Sequence, residues 1–384
     1  MRTVDLFCGC GGMSCGFEKA GFQIVGAFDW WEPALHCYNQ NFAHLASKLD
    51  LSKKNTSLKA IRPLAPEIII GGPPCQDFSS AGDRQEGNRA SLTISFAKIV
   101  KSLRPRYFVM ENVSRAKLSN AYAEARVMFK KAGYGLTEQV LDASRCGVPQ
   151  KRKRFFCVGA LGESDGFLDA YLAHNQTVFP LSVREYFEEN GYALDIDYYY
   201  RHPRSYERRG IYSVDEPSAT IRGVNRPKPP EYNRHKNDAA DPLDARALTL
   251  AERACIQTFP PEFQFGDNQM IAEQMVGNAV PVNLAYHVAK ALRAFAEKKD
   301  HSTSADFSNW VSEKYGFTSL AIKDTISRIG RCNKIVAFGD EGKEEYINRL
   351  EAQTTSLSKN VRSQLKRAAT LYFEFISLRG NKQE

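Results

Sequence analysis

The chain has 384 residues and a net charge of +8, with 52 lysines and arginines against 44 aspartates and glutamates. Its apolar content of 43% is ordinary for a globular protein, and no apolar run approaches the roughly 20 residues that a membrane span needs. This length allows one large core with an appendage, or two or three smaller units. The moderate positive charge fits a nucleic-acid partner without requiring one.

Nine cysteines occur without a regular spacing, which indicates reduced thiols in a reducing compartment rather than a disulfide framework. The first residues lead straight into a predicted strand, so we expect no signal peptide. Together with the absence of a long apolar run, these features predict a cytoplasmic protein without a membrane partner.

The first predicted element is a strand at residues 3–7, followed by a loop that contains Gly9, Gly11 and Gly12. Glycine lets the backbone turn tightly and approach a ligand, and residues 14–20 can then begin a helix. This order of strand, loop and helix is typical of a doubly wound α/β fold. The glycine spacing fits neither the dinucleotide fingerprint nor a phosphate loop. No second cysteine or histidine cluster accompanies the cysteines near this loop, so we expect no metal.

The second predicted strand, Phe22–Phe28, ends at Asp29 and Trp30. An acidic residue about 20 positions after a glycine loop suits hydrogen bonds to a ribose diol. The same aspartate could cap a helix at Glu32–Asn41, and the two roles are compatible. Asp50 follows a third, weaker strand, where a ligand contact and a solvated loop carboxylate both remain open.

The β-branched run Glu67–Ile70 predicts a buried parallel strand that must end at Gly71-Gly72-Pro73-Pro74. Cys75 comes next. A thiol held at the carboxyl end of a strand is a candidate nucleophile, although a free cysteine is usually a small buried hydrophobe. The polar, glycine-containing segment Asp77–Ala90 then predicts a flexible loop that closes over substrate.

A predicted helix at Ser91–Leu103 leads to a buried strand at Tyr107–Met110, and Glu111 and Asn112 lie at the carboxyl end of that strand. Ligands gather at this edge of open α/β sheets. Glu111 would therefore lie beside Cys75 if the two preceding strands are neighbours.

Arg152 and Arg154 alternate with Lys153 in a short extended segment. Alternate residues of such a segment share a face, so both arginines would point into the cleft. By itself, a basic run of this kind is more often a solvated surface. After a helix at residues 119–132, two further strands can pair, Tyr134–Leu141 and Arg154–Gly159.

Beyond residue 160 the regular pattern ends, and aromatic residues mix with basic ones around 198–209 and 220–227. Such interleaving suits phosphate contacts and the readout of base edges. We therefore expect a smaller mixed domain that binds nucleic acid, with an ordinary basic surface as the alternative. A helix from about Ile271 to Lys298 would return the chain to the first domain. The candidate nucleic-acid contacts are Arg204, Arg208, Arg209, Arg222 and Arg226.

The last part of the chain predicts a helical appendage at residues 300–384. Basic residues such as Arg328, Arg331, Lys366 and Arg367 are scattered among its apolar ones. The appendage could contact flanking nucleic acid or a partner, or it could act as a stabilising cap on the preceding domain. Its predicted helices lie around 306–315, 318–339, 341–352 and 358–378.

Five stretches occur in a fixed order, and together they resemble the DNA (cytosine-5)-methyltransferase family of the bacterial restriction-modification type. The resemblance covers residues 1–160 and 245–295, and it implies a Rossmann-like fold that uses S-adenosyl-L-methionine and releases S-adenosyl-L-homocysteine. It also implies a catalytic domain at 1–160 plus 271–298, a target-recognition domain at 161–270, and the helical appendage at 300–384. The stretches are Asp5-Leu6-Phe7-Cys8-Gly9-Cys10-Gly11-Gly12, Pro73-Pro74-Cys75-Gln76, Glu111-Asn112-Val113, Gln150-Lys151-Arg152-Lys153-Arg154 and Gly277-Asn278-Ala279-Val280-Pro281.

The resemblance implies a role for individual residues. The Cys75 thiolate would add to C6 of a cytosine flipped out of duplex DNA, Glu111 would protonate N3, and Arg154, supported by Arg152, would grip O2. Gln76 and Ser79 join the candidate DNA contacts. The implied cofactor-binding residues are Asp5, Phe7, Gly9, Gly11, Gly12, Asp29, Trp30, Asp50, Pro74, Leu92 and Asn278.

The expected partner is double-stranded DNA, bound by a monomer at the bacterial nucleoid, while a cognate restriction endonuclease would act separately. Three alternatives stay open. A cytosine-5 methyltransferase that acts on transfer RNA is one, although the Cys-Phe-Thr tripeptide of eukaryotic tRNA-methylating relatives is not found. The second is a catalytically inactive DNA-binding protein, which the intact Cys75, Glu111 and arginines argue against. The third, a nicotinamide-dependent oxidoreductase, has the wrong glycine spacing.

Overall fold

The computed structural model describes residues 1–74, 90–203, 205, 207–336, 338 and 342–380. The chain forms two compact units, unit 1 at Met1–Arg293 and unit 2 at Ala294–Glu384. No helix in the described part of the chain is long and apolar enough to cross a membrane.

The strands fall into one large sheet and two small ones. Among the described residues they are β1 (Arg2–Leu6), β2 (Gln23–Asp29), β3 (Ala46–Lys48), β4 (Ile68–Gly71), β5 (Tyr107–Val113), β6 (Tyr134–Asp142), β7 (Gln150–Lys151), β8 (Lys153–Leu161), β9 (Tyr198–Tyr200), β10 (Ile211–Ser213), β11 (Ser218–Ala219) and β12 (Ala245–Ala247). The large sheet has the order β3-β2-β1-β4-β5-β8-β6, and the small ones are β10-β9-β12 and β11-β7.

The helices alternate with the first strands and then dominate the end of the chain. In the same residues they are α1 (Gly12–Lys19), α2 (Glu32–Asn41), α3 (Lys54–Ile61), α4 (Ala90–Leu103), α5 (Asn120–Lys131), α6 (Asp169–His174), α7 (Val183–Glu189), α8 (Leu250–Ile256), α9 (Gln269–Asn278), α10 (Val282–Tyr315), α11 (Ser319–Ile335), α12 (Lys343–Gln353) and α13 (Lys359–Gly380). Short 3-10 turns occupy Arg62–Leu64, Ser114–Leu118, Ala143–Arg145 and Pro242–Asp244.

The large sheet confirms the predicted doubly wound α/β fold. Its first five strands in sheet order are parallel, and β8 runs antiparallel between β5 and β6. Helices cover both faces of such a sheet, which explains why Ile68, Ile69 and Ile70 are all fully buried in β4. On one face the rings of Phe108 in β5 and Phe129 in α5 lie 4.2 Å apart within a common apolar cluster.

The prediction of one helix from Ile271 to Lys298 is wrong. The chain forms α9 and α10 with a break between Asn278 and Val282. Pro281 lies in the break, and proline lacks an N–H and disfavours helical backbone in the residue before it. The break brings the carbonyl oxygen of Val280 so close to Gly12 that a Cβ there would lie 2.3 Å from it. The separate helix expected at 306–315 is likewise the end of α10.

Unit 2 contains the end of α10 together with α11, α12 and α13. It has apolar clusters of its own, one around Tyr346 and Phe373 and another around Phe307 and Phe375. Tyr346 is fully buried, and its hydroxyl donates to the carbonyl oxygen of Val336 at 2.7 Å. The predicted helical C-terminal region is therefore confirmed, while its role stays a prediction.

Candidate active site

The carboxyl ends of the parallel strands lie at one edge of the large sheet, and the antiparallel strand β8 begins at the same edge. Residue pairing shows this directly, since Val113 at the end of β5 lies opposite Arg154 at the start of β8. This edge therefore holds the glycine loop after β1, Asp29 at the end of β2, Gly72 after β4 and Glu111 in β5.

The glycine loop is tied to the end of β2 by one carboxylate. The N–H of Gly9 donates to Oδ2 of Asp29 at 2.8 Å, and the N–H groups of Trp30 and Trp31 donate to Oδ1 at 2.7 and 2.9 Å. The indole of Trp30 is 63% exposed. Asp29 thus joins the loop to the start of α2, and the sequence-predicted residues Gly9, Asp29 and Trp30 lie together.

Two other predicted cofactor positions border this cluster. Asp50 follows Leu49, whose N–H donates to the carbonyl oxygen of Asp29 at 2.9 Å. The carboxylate of Asp50 accepts hydrogen bonds from the hydroxyl and N–H of Ser52 at 2.6 and 3.1 Å, and these bonds lower its pKa. Asn278 is exposed at the end of α9, two residues before the Val280 carbonyl that packs on the loop.

The loop is open on one side and packed on the other. Phe7 and Gly9 adopt left-handed backbone with φ of 60° and 54°, and a Cβ at Gly9 would meet nothing within 4 Å. In contrast, a Cβ at Gly11 would lie 2.4 Å from the ring of Phe42. The backbone of Gly9 is therefore open to the approach of a ligand, next to the carboxylate of Asp29 and the exposed Trp30.

Asp5 lies under this loop in β1. It is 1% exposed, its Oδ2 accepts a hydrogen bond from Ser14 at 2.7 Å, and its Oδ1 has no hydrogen-bond partner among the described residues. Burial raises the pKa of Asp5 to about 7, and the negative charge of Asp29 adds to this shift. The thiols of Cys8 and Cys10 in the loop are also buried, which raises their pKa and keeps them protonated.

Glu111 and Arg154 form a nearly buried ion pair. Nε of Arg154 lies 3.1 Å from Oε1 of Glu111, and the two side chains are only 15% and 10% exposed. Burial raises the pKa of Glu111, although the positive charges of Arg154 and Arg152 oppose that shift. The arrangement holds a proton-binding carboxyl group and a cation side by side.

The start of the Pro-Pro-Cys segment lies against this pair. A Cβ at Gly72 would be 3.2 Å from Oε2 of Glu111. Nδ2 of Asn112 donates to the carbonyl oxygen of Pro73 at 3.2 Å, and this bond is buried. The sequence predicts no contact for the side chain of Asn112. Pro74 is exposed, and Leu92 is half-buried near the start of α4. Cys75, Gln76 and Ser79 lie outside the described residues.

Arg152 is held differently from Arg154. Its Nη1 donates to the carbonyl oxygen of Ile221 at 2.9 Å, and its Nη2 donates to those of Gly277 and Ala279 at 3.0 Å each. The residue is 2% exposed, and burial lowers its pKa. Its terminal nitrogens are therefore directed at the main chain of two segments, at Ile221 and at Gly277–Ala279, rather than at the cleft.

Two glutamines complete this buried polar cluster. Nε2 of Gln150 donates to Oε1 of Gln257 at 2.7 Å, and Oε1 of Gln150 accepts from the N–H of Ile221 at 2.9 Å. Both side chains are fully buried. Sequence reasoning missed Gln257, because no local spacing relates it to a partner 107 residues away.

A basic groove lies in the segment expected to contact DNA. Arg209 donates to Glu216 at 2.7 Å and lies over the ring of Tyr212, and Arg222 donates to the carbonyl oxygen of His202. Arg226 is exposed, whereas Arg204 lies outside the described residues. Arg201 was not among the predicted contacts. The groove is lined by Arg201, Pro203, Arg208, Arg209, Tyr212, Thr220 and Arg222.

The acidic, histidine and cysteine side chains form no metal centre within the described ranges. In the part of the chain that the structure describes, no three His, Cys, Asp or Glu side chains are grouped so that they could hold a metal ion.

Comparison with known proteins identifies the family. The model of the C-5 cytosine-specific DNA methylase family matches residues 1–294. Type II methyltransferase M.HgiDI of Herpetosiphon aurantiacus is 54% identical over 296 residues, which cover 77% of this chain and 95% of that protein. Type II methyltransferase M.HindV of Haemophilus influenzae is 49% identical over 301 residues, covering 78% and 98%.

A solved structure supports the fold. The S. pombe Dnmt2 methyltransferase superposes with a TM-score of 0.57 over 77% of this chain and 98% of its own, at 19% identity. The family match and the two relatives, at 54% and 49% identity, show the family in addition to the fold. This chain therefore belongs to the C-5 cytosine-specific DNA methylase family, and it is a DNA (cytosine-5-)-methyltransferase.

Proposed function

We propose that this enzyme methylates C5 of a cytosine that has been flipped out of duplex DNA, by way of a transient bond between Cys75 and C6. One observation carries the proposal: the buried contact between Glu111 and Arg154, against the backbone of Gly72. Three residues after Gly72 comes Cys75, so the predicted nucleophile follows directly on the backbone that borders the acid and the cation.

The proposed chemistry uses each of these groups once. Cytosine C5 is a poor nucleophile, and addition of the Cys75 thiolate to C6 makes it enamine-like. As the C6–S bond forms, Glu111 gives a proton to N3 and Arg154 stabilises negative charge at O2. After C5 accepts its methyl group, the C5 proton leaves to a base, the C6–S bond breaks to release the Cys75 thiolate, and N3 returns its proton to Glu111. The raised pKa of Glu111 supports this role, because the carboxyl group keeps its proton to higher pH.

Arg152 is assigned a different part in the same reaction. Its bonds to three main-chain carbonyl groups favour a positioning role over direct contact with the base. Its positive charge still acts on Glu111 through space. Arg154 is therefore the arginine proposed to touch O2.

The glycine loop is the proposed cofactor site. S-adenosyl-L-methionine is the family's methyl donor and would supply the methyl group. Asp29 would accept hydrogen bonds from the ribose, and Trp30 would lie against the adenine. The open side of Gly9 leaves room for the ligand, and Asp5, Phe7, Gly11, Gly12, Asp50, Pro74, Leu92 and Asn278 complete the proposed set.

The proposed DNA substrate is bound by the basic groove. Its arginines would contact phosphates and base edges, together with Gln76 and Ser79. Flipping the base costs a few kcal/mol, which these contacts would offset. The division of unit 1 into a catalytic domain (1–160 plus 271–298) and a target-recognition domain (161–270) is part of this proposal.

The biological setting is proposed from the relatives. Because M.HgiDI and M.HindV are named type II methyltransferases, we assign this enzyme to a restriction-modification system of that type. A monomer acting at the bacterial nucleoid, with a separate cognate endonuclease, stays a prediction.

The test uses DNA in which the target cytosine carries fluorine at C5. Fluorine cannot leave as the proton does, so wild-type protein should stay covalently attached to this DNA through Cys75. Cys75→Ser should form no covalent complex and no methylated product, yet bind DNA as wild type does. Cys255→Ser, a half-buried thiol in α8, is the matched control and should behave as wild type. Near-normal methylation by Cys75→Ser would overturn the mechanism.

A further inference from the structure

A continuous chain of hydrogen bonds links Asp5, under the glycine loop, to the protein surface. Ser14 Oγ lies 2.7 Å from Asp5 Oδ2, and Tyr38 Oη lies 2.8 Å from Ser14 Oγ. Tyr38 Oη lies 2.7 Å from His44 Nε2, and His44 Nδ1 lies 3.2 Å from Glu18 Oε1. Asp5, Ser14 and Tyr38 are buried, whereas His44 is 17% and Glu18 39% exposed.

Donor and acceptor rules allow this chain two complete arrangements. With Asp5 ionised, Ser14 donates to Asp5, Tyr38 donates to Ser14, and His44 must donate from both nitrogens as an imidazolium. With Asp5 protonated, Asp5 donates to Ser14, Ser14 donates to Tyr38, and Tyr38 donates to a neutral His44. The two arrangements contain the same number of protons, and every hydrogen bond is kept in both.

The surroundings of Asp5 keep both of its protonation states accessible. Its Oδ1 is buried and has no hydrogen-bond partner in the part of the chain that the structure describes, and burial together with the charge of Asp29 raises the pKa of Asp5 to about 7. The buried thiol of Cys8, which stays protonated, also interacts with Asp5, as does the hydroxyl of Tyr38. At the far end, His44 is bordered by Glu18, Tyr38 and the ring of Phe42, 5.1 Å away.

We propose that Asp5, Ser14, Tyr38 and His44 form a proton relay that matches the charge of Asp5 to the charge of the ligand at the glycine loop. This inference rests on the proposed function, which places the methyl donor there. The donor is a sulfonium cation and its product is a neutral thioether. A cation favours ionised Asp5 with His44 as an imidazolium, and a neutral ligand favours the other arrangement.

The change between the arrangements is balanced within the chain. A proton leaves Nε2 of His44 for Tyr38 Oη, the Tyr38 proton passes to Ser14 Oγ, and the Ser14 proton passes to Oδ2 of Asp5. No proton enters or leaves the protein. The relay therefore adjusts a buried carboxylate within one catalytic cycle, so that the cationic donor and the neutral product each meet Asp5 in the matching charge state.

The test measures dissociation constants of S-adenosyl-L-methionine and S-adenosyl-L-homocysteine by calorimetry, from about pH 6 to about pH 8. In the wild type, the preference for the cation should rise with pH as Asp5 ionises. Tyr38→Phe keeps the ring but breaks the relay, so ionised Asp5 loses support. The bond lost in the arrangement with ionised Asp5 is the one from the His44 imidazolium to Tyr38 Oη. A hydrogen bond to a charged group is worth about a tenfold change in affinity, so the cation should bind about tenfold more weakly at pH 7, and the neutral product about as before.

Two further variants separate a relay from a fixed hydrogen bond. His44→Gln can still donate to Tyr38 but cannot release a proton, so a relay predicts the same loss as Tyr38→Phe. His36→Gln changes an exposed histidine of α2 outside the chain and should match wild type. An unchanged pH dependence in folded Tyr38→Phe and His44→Gln proteins overturns the relay. If Asp29→Ala also binds both ligands normally, it is the proposed cofactor site that fails instead.

Discussion

Two opposing effects act on Glu111 at the end of β5. Burial raises the pKa of this carboxyl group, and the neighbouring guanidinium groups of Arg154 and Arg152 lower it; burial is the larger effect. Such a group holds its proton at a pH where an exposed glutamate has lost it. It can therefore act as an acid toward a ring nitrogen while an arginine stays next to it.

The substitution Glu111→Gln tests this role. The amide can donate a hydrogen bond but cannot transfer a proton, so kcat should fall by about 10²–10⁴ while DNA affinity is kept. Methyl incorporation under single-turnover conditions measures the loss. Glu138→Gln, a carboxylate paired with Arg126 at 2.9 Å in β6, is the control and should retain kcat.

The pH profile offers a second check on the same residue. The wild-type rate should decline as pH rises through the raised pKa of Glu111, because the proton needed at N3 is lost. In Glu111→Gln this decline should be absent from the remaining activity. A decline that persists unchanged would mean that another group titrates.

The two arginines should respond differently to substitution. Arg152→Met removes the Arg152 donors from the carbonyl groups of Ile221, Gly277 and Ala279, of which Ala279 keeps a 3.3 Å bond from Gln257, and unfolding free energy should fall by about 3 kcal/mol. Arg154→Gln should lower kcat by about 10²–10³, with a much smaller change in stability. Urea denaturation and initial rates on both variants provide the comparison. Equal stability loss in the two would contradict the separate roles.

At the scale of elements, the end of α9 packs tightly on the segment that carries Arg222. A Cβ at Gly277 would lie 2.1 Å from main-chain atoms of Arg222 and Gly223. The buried pair of Arg253 with Glu273, 3.2 Å apart, joins α8 to α9 beside it. The segment that carries Arg222 of the basic groove is thus packed against the end of α9. Val280, which follows α9, contacts the glycine loop at Gly12.

Two helical glycines make a matched pair for testing this packing. Gly277→Ala forces the segment away, so unfolding free energy should fall by about 2 kcal/mol despite the better helix propensity of alanine. Gly330→Ala in α11 meets nothing within 4 Å and should stabilise its helix by up to about 1 kcal/mol. Hydrogen exchange of α9 and α11 can report each effect locally. Stabilisation by both substitutions would show that the packing around Gly277 is loose.

At the scale of the whole molecule, the family match ends where unit 2 begins. The match covers residues 1–294, and unit 2 starts at Ala294. Glu111, Arg154 and the glycine loop all lie in unit 1, so the proposed chemistry does not need the helices beyond it.

A chain that ends near residue 300 should therefore keep methyl transfer within about threefold of the full protein. If unit 2 binds DNA, truncation should make the plot of log affinity against log salt concentration shallower. The slope should change by about 0.9 for each phosphate that the basic side chains of unit 2 neutralise in the full protein. If it is a stabilising cap, the slope should stay and the unfolding midpoint should fall. Loss of methylation by a folded truncated protein would contradict the prediction.

Short sequence patterns predicted much of this architecture. Features that depend on contacts between residues far apart in the sequence could not be predicted. The isoleucine run of β4 and the glycines after β1 carry their structure within a few residues, so they could be read directly. Alternation predicted that Arg152 and Arg154 both point into the cleft from one extended segment. The structure instead places Arg152 between β7 and β8, and no local pattern could show that Ile221 and Gly277 would meet it. The break at Pro281 was overlooked because apolar residues continue on both sides of it.

The packing of Val280 on Gly12 bears on how the protein is made. Arg293 also donates to the carbonyl oxygen of Ala20 at 2.7 Å, and Lys19 to Asn283 at 2.9 Å, so the first helix is held by residues synthesised last in unit 1. During translation, a nascent polypeptide cannot complete the packing around the glycine loop, the proposed cofactor site, until nearly 300 residues have emerged. A chain that terminates before Val280 would lack these contacts to the first helix, and we expect such a fragment to have no methyltransferase activity.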